Sequence, residues 1–164
     1  YMVASAMTQG DIKVENVLCE HMKPLIAKLR EAGCTVEEGI NDVRVVGPRK
    51  LKPITIKTLP YPGFPTDMQA QVMAMMCIAD GQSSVLETVF ENRFMHVDEL
   101  LRMGANIKTS GGRAALIEGV DSFMAARYGR RTCGLGRPWS LRDLWLMVQR
   151  KSPISTISTA ATRI

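Results

Sequence analysis

The chain is poor in metal-binding side chains. Its 164 residues include two histidines and four cysteines, with no Cys-x-x-Cys pair and no Cys/His group at ligand spacing. A structural zinc site usually announces its four ligands by such spacings, and the sequence shows none, so no metal is expected. Cys19, Cys34, Cys77 and Cys133 are scattered, three of them inside apolar patterns, which reads as reduced thiols of a cytoplasmic protein and not as a disulfide framework. Long apolar runs are also missing. No stretch approaches the ~18 to 20 apolar residues of a membrane span, and Tyr1 to Met7 is too short and lacks the basic flank of a signal peptide. No membrane partner is expected. The chain begins in mid-pattern without an initiator methionine, from which further upstream sequence is expected.

Hydrophobic residues make up 46% and charged residues 23%, a globular balance in a chain of one-domain length. The net charge of +5 and pI of 9.2 suggest nucleic acid at first sight. The charge is unevenly placed. Residues 1–120 hold 13 Lys and Arg against 14 Asp and Glu, whereas the last 44 residues hold 8 against 2, together with Trp139 and Trp145. A basic nucleic-acid-binding module is therefore a weak alternative: the positive charge lies wholly in the tail and is not interleaved with aromatics on a regular element.

An offset of 71 residues brings Gly10 onto Gly81, Val14 onto Val85, Leu29 onto Leu100, Gly33 onto Gly104, Val36 onto Ile107 and Val45 onto Leu116. One supersecondary unit thus occurs about twice. It opens with a small-residue helical end (Val3 to Thr8; Val72 to Ala79) that stops at Gly10 or Gly81. A strand follows (Ile12 to Val17; Ser84 to Phe90). Next comes a helix, with Met22, Leu25, Ile26 and Leu29 on one face, Pro24 in the opening turn and Gly33 at its stop; Val97, Leu100, Leu101 and Gly104 are the counterparts. Two short strands close each copy: Thr35 to Glu37 with Val43 to Val46, and Asn106 to Lys108 with Ala115 to Val120. Between copies lie a further strand, Ile54 to Lys57, and a turn-rich connection with Pro60, Pro62, Gly63 and Pro65. The fold class is α/β.

Two strand-to-helix junctions are polar, and ligands of α/β folds collect at such places. In Phe64 to Gln71 (FPTDMQAQ), Thr66 and Gln69 have capping-box spacing, which predicts that Thr66 caps the helix and Asp67 lies in its first turn. Asp67 there either serves a ligand or merely complements the helix dipole. In Glu87 to Val97 (ETVFENRFMHV), Arg93 is able to fork two hydrogen bonds to a carboxylate or phosphate. The plainer alternative is a solvated turn with a local Glu91 and Arg93 pair. His21 and His96 read as helix N-terminal residues, and Met73, Met75 and Met76 as core filling.

These two segments, with Met103-Gly104-Ala105, strongly resemble the UDP-N-acetylglucosamine enolpyruvyl transferase (1-carboxyvinyltransferase) family over about residues 1–120. The resemblance implies two similar inside-out α/β barrels, each of three repeated units, of which this chain holds an incomplete set. It also implies transfer of enolpyruvate from phosphoenolpyruvate to the 3-hydroxyl of UDP-N-acetylglucosamine, an early step of peptidoglycan synthesis, with no metal and no cofactor. Asp67 falls on the family's general base and sugar-hydroxyl contact, Val89 on a backbone contact to the sugar nucleotide, and Arg93 on the anionic end of the cleft. None of the four cysteines lies in a matching catalytic motif.

Past Val120 the resemblance stops, where the family continues with TDLRA and later IYHIDRGYE. Joining the third base of each codon to the first two of the next lets Arg130 to Leu135 encode T-D-L-R-A, and Ile154 to Ile164 encode I-Y-H-I-D-R-G-Y-E-D. The expectation is a one-base frameshift between about Asp121 and Met124, giving a partial transferase domain over 1–120 and a non-native tail over 121–164. Such a fragment is expected to be inactive alone, lacking the remainder of the enzyme. A non-catalytic interaction module is the other alternative.

Overall fold

A computed structural model describes residues 1–124, which fold as two successive copies of one unit joined by an extra strand. The first copy contains α1 (Met2–Thr8), β1 (Asp11–Glu15), α2 (Cys19–Glu31), β2 (Thr35–Glu38) and β3 (Asp42–Val46). After β4 (Thr55–Lys57) and a 3-10 turn (Thr66–Met68), the second contains α3 (Gln69–Met76), β5 (Gln82–Leu86), α4 (Val97–Arg102), β6 (Asn106–Ser110) and β7 (Ala114–Glu118). The two sheets have the orders β1-β3-β2 and β4-β5-β7-β6. They are equivalent except for β4, which runs parallel to β5 while every other pair is antiparallel.

Period-two alternation decides which face each sheet turns inward. Val43, Val45, Ile56, Val85 and Ile117 are buried, whereas Lys13, Glu15, Glu37 and Arg44 face out, with Arg44 paired to Asp11 at 2.7 Å and to Glu37 at 3.4 Å. α1 packs on β1 and β3, α3 packs on β7, and the two helices pack on each other. α1 and α3 thus lie inside, whereas α2 and α4 each keep an exposed face. An interior helix needs no polar face, and Met73, Met75 and Met76 are buried as core filling.

Several local signals were shifted by their surroundings. α2 starts at Cys19, so Pro24 lies inside the helix, where its missing N–H forfeits the bond to the Glu20 carbonyl. α1 ends through Gln9 in the left-handed region (φ 55°) and not through Gly10, while Gly33 (φ 94°) and Gly104 (φ 90°) are left-handed just past α2 and α4 as their positions predict. β1 stops at Glu15 and β5 at Leu86, short of the predicted ends.

The repeat itself carries a one-residue slip. Val45 lies opposite Ile12 and Val36, but the residue opposite Ser83 and Ile107 is Ile117, not Leu116. The β6–β7 hairpin is one residue longer than β2–β3, and a slip of one inverts the face of each side chain. Leu116 is accordingly 41% exposed while Ile117 is fully buried. Ile117→Ala should cost about 2 to 5 kcal/mol of stability, and Leu116→Ala under about 1 kcal/mol. Equal losses in urea unfolding would contradict this register.

Among the described residues no helix is long and apolar enough to cross a membrane. Phe123 is buried, and the Met124 N–H donates to the Met103 carbonyl at 2.8 Å. The expectation for the tail beyond residue 124 concerns residues outside those described.

Candidate functional site

The two copies differ most where the second polar junction lies. Shifted by 71 residues, the start of α2 falls on Phe90, yet α4 begins only at Val97. About two helical turns are replaced by a loop, Glu87 to His96, in which Asn92 is left-handed (φ 56°). The loop is held at its root by Glu87, a fully buried carboxylate just past β5. Oε1 of Glu87 accepts from the Val89 N–H (2.9 Å), the Phe90 N–H (3.1 Å) and the Thr58 hydroxyl (2.7 Å). Oε2 accepts from the Thr66 hydroxyl at 2.9 Å.

Removing this carboxylate from water raises its pKa, but hydrogen bonds from Thr58, Phe90, Val89 and Thr66 outweigh that effect and hold it below the ordinary glutamate value. Thr58 is itself buried; its hydroxyl also accepts from the Thr88 N–H at 2.9 Å. The Pro-rich connection turns back sharply after β4, so that the Leu59 N–H bonds the Phe64 carbonyl at 3.0 Å and Thr66 comes within reach of Glu87. Gly63 permits this turn, since a Cβ there would sit 2.4 Å from that of Leu59.

Thr66 therefore does not cap the following helix. Its hydroxyl is committed to Glu87, a 3-10 turn over Thr66–Met68 precedes α3, and Pro65 occupies the cap position. Gln69, the other member of the expected capping box, is buried, and its amide nitrogen has no partner among the described residues.

Asp67 and Arg93, 26 residues apart, meet: Arg93 Nη2 donates to Asp67 Oδ1 at 2.6 Å, and the guanidinium lies over the Phe90 ring, 5.0 Å from its centroid. The side chain of Asp67 is 83% exposed. The plainer alternative of a local Glu91 and Arg93 pair is not what forms. Glu91 instead pairs with Arg113 at the tip of the longer hairpin, whose Gly112 faces the Asn92 side chain. Val89, the third selected residue, has its N–H committed to Glu87, so its carbonyl is the backbone group left to meet a ligand. Sequence reasoning assigned no role to Glu87, Thr58 or Arg113, whose side-chain partners Thr58, Thr66, Glu87 and Glu91 lie 21 to 29 residues away in the chain.

Among the described residues, the remaining titratable groups do not form a second centre. His96 is the residue before α4, with Nε2 3.2 Å from Met73 Sδ, and burial lowers its pKa to about 4. His21 lies in the first turn of α2. Burial pushes the Cys34 and Cys77 thiols up to about 11 and about 12, which keeps them protonated and poorly nucleophilic. No group of three or more His, Cys, Asp or Glu among the described residues is arranged to hold a metal.

This architecture is that of an enolpyruvyl transferase unit. The fold aligns with the enolpyruvyl transferase NikO from Streptomyces tendae at a TM-score of 0.65 and 19% identity, covering 72% of this chain and 28% of that one. EPSP synthase from Acinetobacter baumannii aligns at 0.63 and 15% identity, covering 90% and 34%. A family profile described as EPSP synthase (3-phosphoshikimate 1-carboxyvinyltransferase) matches residues 1–127, and the chain belongs to that family. Within it, UDP-N-acetylglucosamine 1-carboxyvinyltransferase 1 of Caldanaerobacter subterraneus subsp. tengcongensis is 58% identical over 126 residues, and the Finegoldia magna protein named UDP-N-acetylglucosamine 1-carboxyvinyltransferase is 58% identical over 128. Both alignments cover 77% of this chain and 30% of the relative, so the chain spans about a third of the length of the curated proteins it matches.

Proposed function

We propose that residues 1–120 supply the acceptor-sugar side of an active site that moves enolpyruvate from phosphoenolpyruvate to the 3-hydroxyl of UDP-N-acetylglucosamine. The observation that carries this reading is the meeting of Asp67 and Arg93 on an exposed edge, next to the loop where the two copies diverge. Asp67 is the general base: its carboxylate takes the proton of the sugar hydroxyl as that oxygen bonds to C2 of phosphoenolpyruvate. Protonation of C3 by another group completes the addition, and loss of phosphate with a C3 proton restores the double bond. Arg93 is shared between Asp67 and an anionic group of the substrates, and the Val89 carbonyl accepts from the sugar nucleotide. No residue described here is assigned to protonate C3, and no metal or cofactor is required by these roles.

The closely matching segment makes a direct experiment possible. In a hybrid, residues 1–120 of this chain replace the corresponding segment of the Caldanaerobacter enzyme, and phosphate release is measured with both substrates. The hybrid should turn over, whereas the 164-residue chain alone should not, because one base and one cation are a small part of the charge this reaction must stabilise. An inactive, folded hybrid would overturn the assignment. For residues 121–164 the proposal is a frameshifted tail, which predicts a gene that continues into T-D-L-R-A once one base is restored between the codons of Val120 and Met124.

A further inference from the structure

We infer that Glu87 is the positioning residue of the candidate site, its two carboxylate oxygens holding the segment that bears Asp67 and the loop that bears Arg93 at a fixed separation. Oε2 reaches Thr66, the neighbour of Asp67 in the chain. Oε1 reaches the Phe90 N–H, and the Phe90 ring in turn lies under the Arg93 guanidinium. The contact between Arg93 and Asp67 closes the circuit at 2.6 Å.

A buried carboxylate is costly unless its lone pairs are all used, and here four donors use them without any cation. The first copy reaches the same strand and helix order without this arrangement. In the first copy the equivalent position is Asn16, an exposed residue in a left-handed turn, and there the helix simply begins three residues later at Cys19. The expensive group is present only in the copy that carries the candidate site.

The catalytic consequence rests on the proposed function, and the test separates the two. Glu87→Gln keeps an acceptor for Thr58, Val89 and Phe90 but turns a donor toward Thr66. Thr66→Val removes one hydroxyl at nearly constant volume, and Thr66→Ser restores it. In the 164-residue chain, the amide protons of Val89 and Phe90 should titrate with Glu87 in NMR spectra, below the ordinary glutamate range. Glu87→Gln should abolish that titration and weaken the cross-peaks between the Phe90 ring and Arg93. In the hybrid enzyme, Glu87→Gln and Thr66→Val should each lower kcat by about 10- to 100-fold with KM for the sugar nucleotide changed less than about threefold, and Thr66→Ser should recover most of kcat. A merely structural role would lower the melting temperature and leave kcat per folded molecule unchanged. Unchanged kcat in both variants, or amide protons that ignore Glu87, would overturn the inference. A wild-type hybrid that folds without activity would instead overturn the assigned function, and the amide and cross-peak measurements would then decide the role of Glu87 alone.

Discussion

Replacing Asp67 with Ala in the hybrid enzyme should lower kcat by about two to four orders of magnitude, the usual contribution of a positioned general base. The loss should fall on kcat more than on KM. One hydrogen bond to a sugar hydroxyl contributes roughly 0.5 to 1.5 kcal/mol net, so ground-state binding weakens by about tenfold at most. Stability should hardly change, because Asp67 is 83% exposed and a surface ion pair of this kind is worth about 0 to 1 kcal/mol. Asp67→Asn sharpens the result: it keeps the shape and a hydrogen bond but cannot accept the proton, and should be nearly as slow. A kcat within fivefold of wild type in either variant would remove the carboxylate from the chemistry.

Glu87→Ala should produce the largest loss of stability at any polar position described. Four donors lose their acceptor at once, and the Thr58 hydroxyl has no access to water. Leaving buried groups unpaired costs about 1 to 3 kcal/mol each, which puts the total at about 3 kcal/mol or more even with partial relaxation. The sign of the pH dependence follows from the same contacts. Because the folded state holds Glu87 below its ordinary value, its contribution is fully present above the unfolded pKa and is lost as pH falls through the folded one. Urea unfolding of the chain at pH 7 and near pH 3 should therefore show a steeper acid loss for wild type than for Glu87→Gln. Equal slopes would mean that the carboxylate is not preferentially ionised in the fold.

Much of the fold was legible because its signals are local. Leu25, Ile26 and Leu29 mark one helix face, Val43 and Val45 one strand face, and Gly33 and Gly104 the helix ends. The 71-residue offset located most of the second copy, but a single added residue in its hairpin made Leu116 resemble Val45 while Ile117 took its place. Asp67, Val89 and Arg93 were legible as candidates through the motif resemblance, and Arg93 and Asp67 do come together. What spacing could not supply was choice among partners. Thr66 had a cap position and a distant carboxylate available, and the buried acceptor won; Arg93 had Glu91 two residues away, yet Asp67 across the turn is its partner. Such choices depend on desolvation and on the return of the chain after β4, neither of which has a sequence period.

The exchange of helix for loop in the second copy also bears on how the molecule comes together. α2 has 13 residues, near the length at which a helix begins to persist alone in water, whereas α4 has six and cannot pass its own nucleation barrier. The first copy thus contains one helix near the length that forms without tertiary contacts, although its sheet, like that of the second copy, joins strands far apart in sequence. In the second copy the loop is held instead by contacts from β4, the turn at Gly63 and the end of β5 to Glu87, so hydrogen exchange at Val89 and Phe90 is expected to be faster than in β5. The edge where Asp67 and Arg93 meet therefore rests on a loop with no helix of its own to hold it, and local opening there would part the two side chains before the sheets come apart.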